Sequence, residues 1–297
     1  NQVNKFIKQL ITGEEGDVFV HIDKKNFEAV NNQILKDPHV KVLQQSIHCE
    51  WGNLSQVDTT LLLLREVLAY QKKYDFICLR SGQDLLIKEG FKNHLLENRD
   101  KIFITLRDVS KNYLALMKVN WPKVTRKKYT TPHPFRIFRR IIHILFRNGI
   151  NIFPNNKKWP EEYTFYNGSQ WFTIPYEVAK YIIEFLDENE WYYKYFEKTY
   201  APDEWFFYTL IMNSHYKTSV VNDNLFFLKW GEKFSDSNSP QYLMSSDIME
   251  IKESNQFFAR KFDENLDGEV INYFSESVNF NLDNSLVPNR ERLEFTE

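Results

Sequence analysis

Apolar residues recur at helical spacing at the start of the chain and then give way to short, continuous apolar runs. Four residues of the opening segment share one helical face: Phe6, Ile7, Leu10 and Ile11. Strands are predicted over 17–23 and 74–79, with a long helix over 55–73 between them. This alternation predicts an α/β fold with a mostly parallel sheet and helices on both faces.

Polar side chains follow both predicted strands at the point where each strand ends. His21 and Asp23 complete the first strand, and Ser81 and Asp84 lie in the loop after the second. In parallel sheets, residues just past the strand C-termini line the ligand crevice, which makes these four residues candidates for one site. Loop and cap chemistry is the alternative explanation for each of them.

A proline and two carboxylates precede an aromatic segment in the third quarter of the chain, in the order Pro202-Asp203-Glu204. Proline is favoured at the first position of a helix, so Glu204 is expected in the first turn, near the partly positive helix N-terminus. A carboxylate in that position should stay ionised at neutral pH. Pro-Asp-Glu is also an ordinary way to begin a helix, so the spacing alone leaves a purely structural role open.

Residues 133–148 combine bulky apolar side chains with four arginines: Arg136, Arg139, Arg140 and Arg147. A basic amphipathic helix of this kind can lie in a membrane interface, and it can equally pack on the core with a solvated basic face. After about residue 274 the apolar periodicity fades. We therefore predict a single domain over 1–277, with 133–148 as an insertion, and a polar tail over 278–297.

Composition narrows the classes of function. The net charge of −2 disfavours nucleic-acid binding, and the two cysteines favour a reducing compartment over a disulfide framework. Aromatic residues reach 16% and concentrate beyond residue 159, which suits sugar binding as well as a core. Dinucleotide-binding, P-loop and zinc-site motifs are missing, and no two aspartates are separated by one residue. That aspartate spacing holds a divalent ion on a nucleotide-sugar in many enzymes, and this device is absent from the sequence.

An aromatic segment near the end of the periodic part of the chain carries two adjacent cations, Arg260 and Lys261. A surface ion pair with Asp263 or Glu264 is one interpretation, and it would contribute little to stability. Binding of an anionic group is the alternative.

Six short stretches follow one another along the chain in a recognisable order. They are His21-Ile22-Asp23-Lys24-Lys25, Trp51-Gly52, Ser81-Gly82-Gln83-Asp84-Leu85-Leu86-Ile87-Lys88, Gly168-Ser169-Gln170-Trp171-Phe172, Pro202-Asp203-Glu204 and Phe258-Ala259-Arg260-Lys261-Phe262-Asp263. In this order they resemble the core-2/I-branching β-1,6-N-acetylglucosaminyltransferase family, glycosyltransferase family 14, which also holds the peptide O-xylosyltransferases. Leu85 and Leu86 stand where that family has Phe and Pro.

The resemblance implies a GT-A glycosyltransferase fold, a Rossmann-like mixed sheet flanked by helices. It also implies inverting transfer of a sugar from a UDP-sugar, with no cofactor and no divalent metal. Glu204 would be the general base, and Lys261 would bind the diphosphate in place of a metal, with Arg260 substituting for an upstream arginine of the family. Members usually begin with a strand ahead of the first helix, which this sequence would lack.

The remaining candidate residues divide between the two substrates. Five residues would border the nucleotide: Val20, His21, Asp23, Gly82 and Asp84. Five others would face the sugar or the acceptor: Trp171, Trp230, Gly168, Ser169 and Asp203.

The expected activity is transfer of a sugar, GlcNAc first among the candidates, to a glycan hydroxyl in surface polysaccharide or lipid-linked oligosaccharide synthesis. The scarcity of cysteine favours a bacterial, cytoplasmic member of the family, held at the inner face of the membrane through 133–148. The expected partners are a UDP-sugar and a glycan or lipid-linked glycan acceptor, and no nucleic acid. Two alternatives are a catalytically inactive carbohydrate-binding protein and a UDP-dependent hydrolase.

Overall fold

The computed structural model describes residues 2–12, 16–129, 133–231 and 239–278. Of the predicted polar tail 278–297, only Val278 lies within the described residues. The domain boundary therefore stays a prediction.

Helices account for much of the described chain. In chain order they are α1 (Gln2–Ile11), α2 (Phe27–Val30), α3 (Ser55–Ala69), α4 (Phe91–Glu97), α5 (Ala115–Lys118), α6 (Pro134–Arg147), α7 (Tyr176–Glu188), α8 (Glu190–Phe196), α9 (Phe206–Met212), α10 (Ile248–Glu253) and α11 (Gly268–Ser277). None of the helices in the described part of the chain has the length and apolar character needed to cross a membrane.

The strands are short, with two or three residues each. They are β1 (Val18–Val20), β2 (Val40–Val42), β3 (Phe76–Cys78), β4 (Asp84–Leu86), β5 (Ile102–Ile104), β6 (Leu106–Arg107), β7 (Asn167–Gly168), β8 (Thr173–Pro175), β9 (Val220–Asn222), β10 (Phe226–Leu228) and β11 (Phe258–Arg260).

The strands form mixed sheets, in the orders β3-β8-β5-β9 and β10-β11-β4, together with the pairs β1-β2 and β6-β7. Three pairings are parallel: β1 with β2, β5 with β9, and β10 with β11. Strand β8 runs antiparallel to both β3 and β5, and β4-β11 and β6-β7 are also antiparallel. The α/β class and the mixed sheet flanked by helices are confirmed, whereas the predominance of parallel pairing is not.

One short connection accounts for part of this difference. A parallel pair needs a crossover of about a dozen residues or more. The loop 79–83 between β3 and β4 is too short for one, so β4 leaves its predecessor and joins β11 in another sheet.

The aromatic enrichment serves mainly the core. In the largest hydrophobic cluster, several aromatic side chains pack together with 0% exposure: Phe172, Tyr192, Phe196, Trp205, Phe206 and Tyr208. Their burial contributes much of the hydrophobic stabilisation, since large aromatic rings bury the most apolar area. These buried rings are therefore unavailable to a sugar.

The helix predicted to begin at Pro202 is split in the structure into a short turn and a later helix. Pro202–Glu204 forms a single 3₁₀ turn, and α9 begins two residues later at Phe206. Ala201, just before this turn, adopts a left-handed conformation with φ 51°. Such a conformation is unfavourable for an L-residue with a side chain and recurs at functional sites. Glu204 thus lies in a tight turn ahead of the helix, and not in the first turn of the helix itself.

Candidate active site

Two short strands bring polar groups to Glu204. In the β6-β7 pair, Arg107 lies opposite Asn167. Arg107 Nη1 is 3.6 Å from Glu204 Oε2, and Asn167 Nδ2 donates a hydrogen bond of 3.1 Å to the Glu204 carbonyl. Together with Asp203, these residues form a cluster that we term the carboxylate end.

Gly168 allows the close approach on which this cluster depends. A Cβ at this position would lie 2.4 Å from the Thr105 carbonyl oxygen and 2.9 Å from Cδ1 of Tyr208. The next residue, Ser169, donates its backbone N–H to the same carbonyl at 3.0 Å. Only glycine fits between these two elements without displacing backbone, so Gly168 acts through packing.

The turn carrying Glu204 is anchored by a second glycine. The Ala201 N–H donates to the Gly52 carbonyl at 3.1 Å, and Gly52 has φ +74°. A Cβ on Gly52 would lie 2.7 Å from the Arg126 carbonyl oxygen. The Trp51 ring packs edge-on against Tyr200, just before the turn, at 5.7 Å between centroids. The Trp51-Gly52 stretch therefore supports the turn from outside.

Desolvation shapes the chemistry of both carboxylates. It raises the pKa of Glu204, although the positive charge of Arg107 and a hydrogen bond from Asn167 oppose the shift. Asp203 is 8% exposed, and burial together with the neighbouring charge of Glu204 raises its pKa to about 7. Its Oδ1 atom has no hydrogen-bond partner among the residues that the structure describes.

The pKa of Glu204 shifts in the direction opposite to the one expected at a helix N-terminus. A helix terminus favours a carboxylate by about 0.3–1 kcal/mol at exposed positions, which desolvation here outweighs. The Glu204 side chain is still 37% exposed, so a ligand can reach it. A carboxylate with a raised pKa is a stronger base near neutral pH, which suits proton abstraction.

A second cluster, which we term the cation end, surrounds Arg260. Arg260 Nη1 lies 2.7 Å from Asp84 Oδ1 and also donates to the Ser81 hydroxyl. The guanidinium lies over the Trp171 ring, 4.4 Å from its centroid. Asp84 faces Arg260 across the β4-β11 ladder and is fully buried. The surface ion pair considered from sequence is thus replaced, for Arg260, by a buried pair with Asp84.

Asp84 is fully engaged within the protein. The Ser81 N–H donates to its Oδ2 at 2.7 Å, and the Ser81 hydroxyl donates to its Oδ1 at 3.0 Å. Burial raises the Asp84 pKa, and the Arg260 charge opposes that shift. Asp84 can therefore influence a ligand through the orientation of Arg260.

Lys261 has different neighbours from Arg260. Its Nζ donates to the Ser239 hydroxyl at 3.0 Å and lies 4.2 Å from the centre of the Tyr242 ring. The two adjacent cations therefore do not converge in this structure.

One short segment joins the two ends of the site. Asn167 contacts Glu204, and Trp171, four residues later, stacks on Arg260. Four steps of extended chain span at most about 14 Å. The carboxylate end and the cation end consequently belong to one region of the molecule.

A cavity of about 840 Å³ lies between β1 and β3, a volume in the range of ligand pockets. Five of the predicted site residues line it: Val20, His21, Ser81, Gly82 and Trp171. Asp23 and Asp84 are not part of this lining. Asp23 instead accepts the Lys25 N–H at 2.9 Å, in local turn chemistry.

His21 and Trp230 also have well-defined settings. His21 Nε2 accepts the Ile47 N–H at 2.9 Å, and burial lowers the pKa of the ring, so the neutral imidazole holds a loop. Trp230 follows β10 and is 42% exposed. It takes no part in the contacts that connect Glu204 with Arg260.

Sequence reasoning missed two arginines. Arg107 lies in β6, which no apolar pattern distinguishes, and only its pairing with β7 brings it to Glu204. Arg80 lines the cavity, donates to the Leu79 and Phe172 carbonyls at 2.9 Å each, and lies 4.1 Å from the Phe258 ring centre. The position of Arg80 directly after a predicted buried strand is the feature of the sequence that could have identified this residue.

The described part of the chain contains no candidate metal site. No group of three or more His, Cys, Asp and Glu side chains there could hold a metal ion.

A mixed α/β fold with helices on its sheets, a partly exposed carboxylate and a nearby cation is the arrangement that the resemblance to sugar-transferring enzymes of GT-A type predicts. The family model of the Core-2/I-Branching enzyme matches residues 4–255. The chain belongs to this family of glycosyltransferases. The match includes Glu204 and ends before Arg260 and Lys261.

Several curated relatives carry the name xylosyltransferase. A "Xylosyltransferase" of Ciona intestinalis is 26% identical over 278 residues, which cover 86% of this chain and 30% of that protein. "Xylosyltransferase oxt" of Drosophila pseudoobscura pseudoobscura is 22% identical, over 88% of this chain and 30% of its own length. "Xylosyltransferase 1" of Rattus norvegicus is 23% identical, over 85% and 31%. The chain thus spans about a third of the length of the curated relatives it matches.

Proposed function

We propose that this chain transfers a sugar from a UDP-sugar to a glycan hydroxyl, with inversion at the anomeric carbon and with Glu204 as the general base. The single observation that carries the proposal is the setting of Glu204. Its carboxylate has a raised pKa, is partly exposed and lies 3.6 Å from Arg107. Asn167 donates to the Glu204 backbone carbonyl and so links this residue to the segment that leads to Trp171 and Arg260.

The proposed reaction is a single displacement. The acceptor oxygen attacks the anomeric carbon from the side opposite UDP and forms the new glycosidic bond. Its proton passes to the Glu204 carboxylate, while the bond from the anomeric carbon to the diphosphate oxygen breaks and UDP leaves with the electron pair. General base catalysis of this kind contributes about 10²–10⁴-fold in rate.

Positive charge must stabilise the leaving diphosphate. Arg260 already faces the buried carboxylate of Asp84 at 2.7 Å, which offsets its charge. Lys261 bonds to a hydroxyl and a ring, so its charge is not neutralised by those two neighbours. We therefore assign Lys261 first and Arg260 second to the diphosphate, with no divalent metal. Activity that disappears with EDTA and returns with a divalent cation would contradict this assignment.

The donor sugar is open between two candidates. The names of the relatives support xylose, whereas the resemblance to the branching enzymes supports GlcNAc. UDP release with UDP-xylose, UDP-GlcNAc, UDP-glucose and UDP-galactose, each with a panel of glycan acceptors, distinguishes them. Synthesis of a surface polysaccharide or lipid-linked oligosaccharide is the proposed context.

Glu204→Gln tests the central assignment. The amide is close in size but cannot accept the proton, so turnover should fall by about 10²-fold or more while donor binding is kept. UDP release measures turnover, and a donor-induced thermal shift measures binding. Glu188→Gln, at the end of α7, is the matched control and should retain full activity.

Three results would contradict the proposal. Undiminished turnover of Glu204→Gln would show that Glu204 is not the general base. Glycan binding without UDP release from any donor would favour the inactive carbohydrate-binding protein. UDP release that needs no acceptor would favour a hydrolase.

A further inference from the structure

Helix α6 presents a row of isoleucines to solvent. Ile137, Ile141 and Ile144 are 51%, 45% and 53% exposed. They are spaced four and three residues apart, so they share one face of the helix. Ile150 and Ile152, just beyond the helix, are exposed as well, so all five exposed isoleucines of the described chain lie within 137–152.

The same part of the sequence has an unusual charge. Residues 109–160 contain no Asp or Glu, although the whole chain has a net charge of −2. The cations of this stretch are Lys111, Lys118, Lys123, Arg126, Lys127, Lys128, Arg136, Arg139, Arg140, Arg147, Lys157 and Lys158. Arg140 and Arg147 are exposed on α6 itself. The exposed apolar face therefore lies in a strongly basic stretch of the sequence, in which Lys127 and Lys157 are paired with Glu50 and Glu197 from outside it.

The opposite side of α6 is tied to the active site. Ile142 is buried, and Arg139 Nη1 donates to the Tyr200 hydroxyl at 2.7 Å and to the Thr125 carbonyl at 3.1 Å. Tyr200 immediately precedes Ala201 and the turn that carries Glu204. One side of the helix thus supports the catalytic turn, while the isoleucine face has no role in the core.

We propose that α6 lies in the interface of a membrane containing anionic lipid and holds the acceptor site beside that surface. Basic helices with an apolar face bind membranes in this way, through buried apolar area and attraction to anionic headgroups. Fourteen residues of helix measure about 21 Å, shorter than the roughly 30 Å apolar layer, so α6 lies in the membrane plane.

This inference rests on the proposed function and narrows it. If the glycan acceptor is attached to a lipid, its sugar end must reach the enzyme at the membrane surface. The contact between Arg139 and Tyr200 places the surface-bound helix next to the turn with the general base.

Flotation with vesicles tests the proposal without any sugar substrate. Vesicles of phosphatidylcholine and phosphatidylglycerol should carry the protein upward, and more salt should weaken this binding. Phosphatidylcholine vesicles alone should bind it at least about tenfold less, because the electrostatic attraction is missing.

Two sets of variants separate the apolar and the electrostatic contributions. The triple variant Ile137→Ser, Ile141→Ser, Ile144→Ser should lose flotation with both vesicle types. The double variant Arg140→Gln, Arg147→Gln should lose about tenfold of the binding to anionic vesicles. Arg139 stays unchanged because it supports Tyr200.

Matched controls exclude general effects of composition. Met249→Ser with Leu266→Ser removes two exposed apolar side chains elsewhere, and Lys180→Gln with Lys252→Gln removes two exposed cations elsewhere. Both control variants should float as the unchanged protein does. Circular dichroism and thermal unfolding verify that all variants are folded.

Absence of binding to anionic vesicles would overturn the proposal, and so would α6 variants that float like the unchanged protein. Retention of a protein partner through this face, without vesicle binding, would also overturn it. UDP release with a soluble acceptor reports on the proposed function separately, so each of the two ideas can fail alone.

Discussion

The two ends of the candidate site are held in place by different means. At the carboxylate end the backbone does the positioning, through the close approach at Gly168 and the left-handed conformation of Ala201. At the cation end a buried ion pair between Asp84 and Arg260 does so, supported by stacking on Trp171. The cation end thus has its charges compensated, whereas the carboxylate end keeps one reachable carboxylate whose charged form is disfavoured.

This difference predicts different roles for the two ends: the carboxylate end takes part in the reaction, and the cation end stabilises the fold. A carboxylate that is destabilised in its charged form gains by taking a proton, as a general base must. A cation paired with a buried carboxylate has part of its charge offset before any further anion binds, and its removal leaves an uncompensated charge. Substitutions at the cation end should therefore affect stability first, and substitutions at the carboxylate end should affect activity or pH dependence first.

The largest effect on stability is expected for Arg260→Met. Without the guanidinium, Asp84 is buried as an unpaired charge, and the free energy of unfolding should fall by about 3–5 kcal/mol at pH 7. The loss should become smaller at lower pH, because burial raises the pKa of Asp84 and favours its protonated form. Denaturant titration at pH 7 and at lower pH measures this.

The neighbouring Lys261→Met is the matched control for that variant. Lys261 bonds to the exposed Ser239 hydroxyl, so its replacement should cost less than about 1 kcal/mol. Combining Arg260→Met with Asp84→Asn should recover much of the lost stability, since the buried charge is gone. Equal losses for Arg260→Met and Lys261→Met would show that the ion pair is not the support we describe.

Gly168→Ala should have the next largest effect. Its Cβ would lie 2.4 Å from the Thr105 carbonyl, so β6 and β7 must separate and Arg107 and Asn167 must move relative to Glu204. We expect a loss of about 1–3 kcal/mol, with a fall in kcat measured at a temperature where the variant is folded. Gly268→Ala, where a Cβ meets no atom within 4 Å, should leave both quantities unchanged. A Gly168→Ala variant with unchanged stability would mean that the strands tolerate the added methyl group.

The family motifs identified most of the residues at these two ends, but not the contacts that hold these residues in place. Glu204, Trp171 and Arg260 lie in stretches that resemble the family, and the alternation of apolar segments predicts the α/β class. The role of Asp84 as partner of Arg260 depends on the β4-β11 register, which joins residues far apart in the chain. No local pattern contains that information.

The carboxylate end shows the same limit more clearly. Arg107 and Asn167 are paired by two strands of two residues each, too short for any periodicity to appear. The helix-start pattern at Pro202 predicts a favoured charge on Glu204, yet tertiary packing around the turn reverses the direction of its pKa shift. Desolvation arises from segments distant in sequence, so local spacing does not reveal it.

Asp203→Asn should make stability less dependent on pH. In the folded protein the Asp203 pKa is about 7, raised from 3.8, so between these values the folded state holds a proton that the unfolded state has lost. This contribution to stability is present near pH 4 and decreases as the pH rises towards 7. The free energy of unfolding of the variant should thus exceed that of the unchanged protein by on the order of 2 kcal/mol at pH 8 and by almost nothing at pH 4.

Thermal unfolding at the two pH values measures the Asp203 effect. Asp187→Asn is a suitable comparison, because the Arg65 ion pair lowers the pKa of that exposed carboxylate. Asp187→Asn should produce no gain in stability at pH 8. A gain at pH 8 equal for both variants would indicate a general charge effect and not the burial of Asp203.

The smallest effect is expected for Arg107→Gln, and it is a shift in pH dependence. The base must be unprotonated, so kcat/KM should rise with pH through the pKa of Glu204. Arg107 lowers that pKa, so its removal should move the acidic limb to higher pH. Both side chains are over a third exposed and 3.6 Å apart, which keeps the shift below about one pH unit and makes it shrink at high salt. Arg65→Gln, in an exposed ion pair with Asp187, should leave the limb in place, and a limb that moves to lower pH in Arg107→Gln would separate Arg107 from the base.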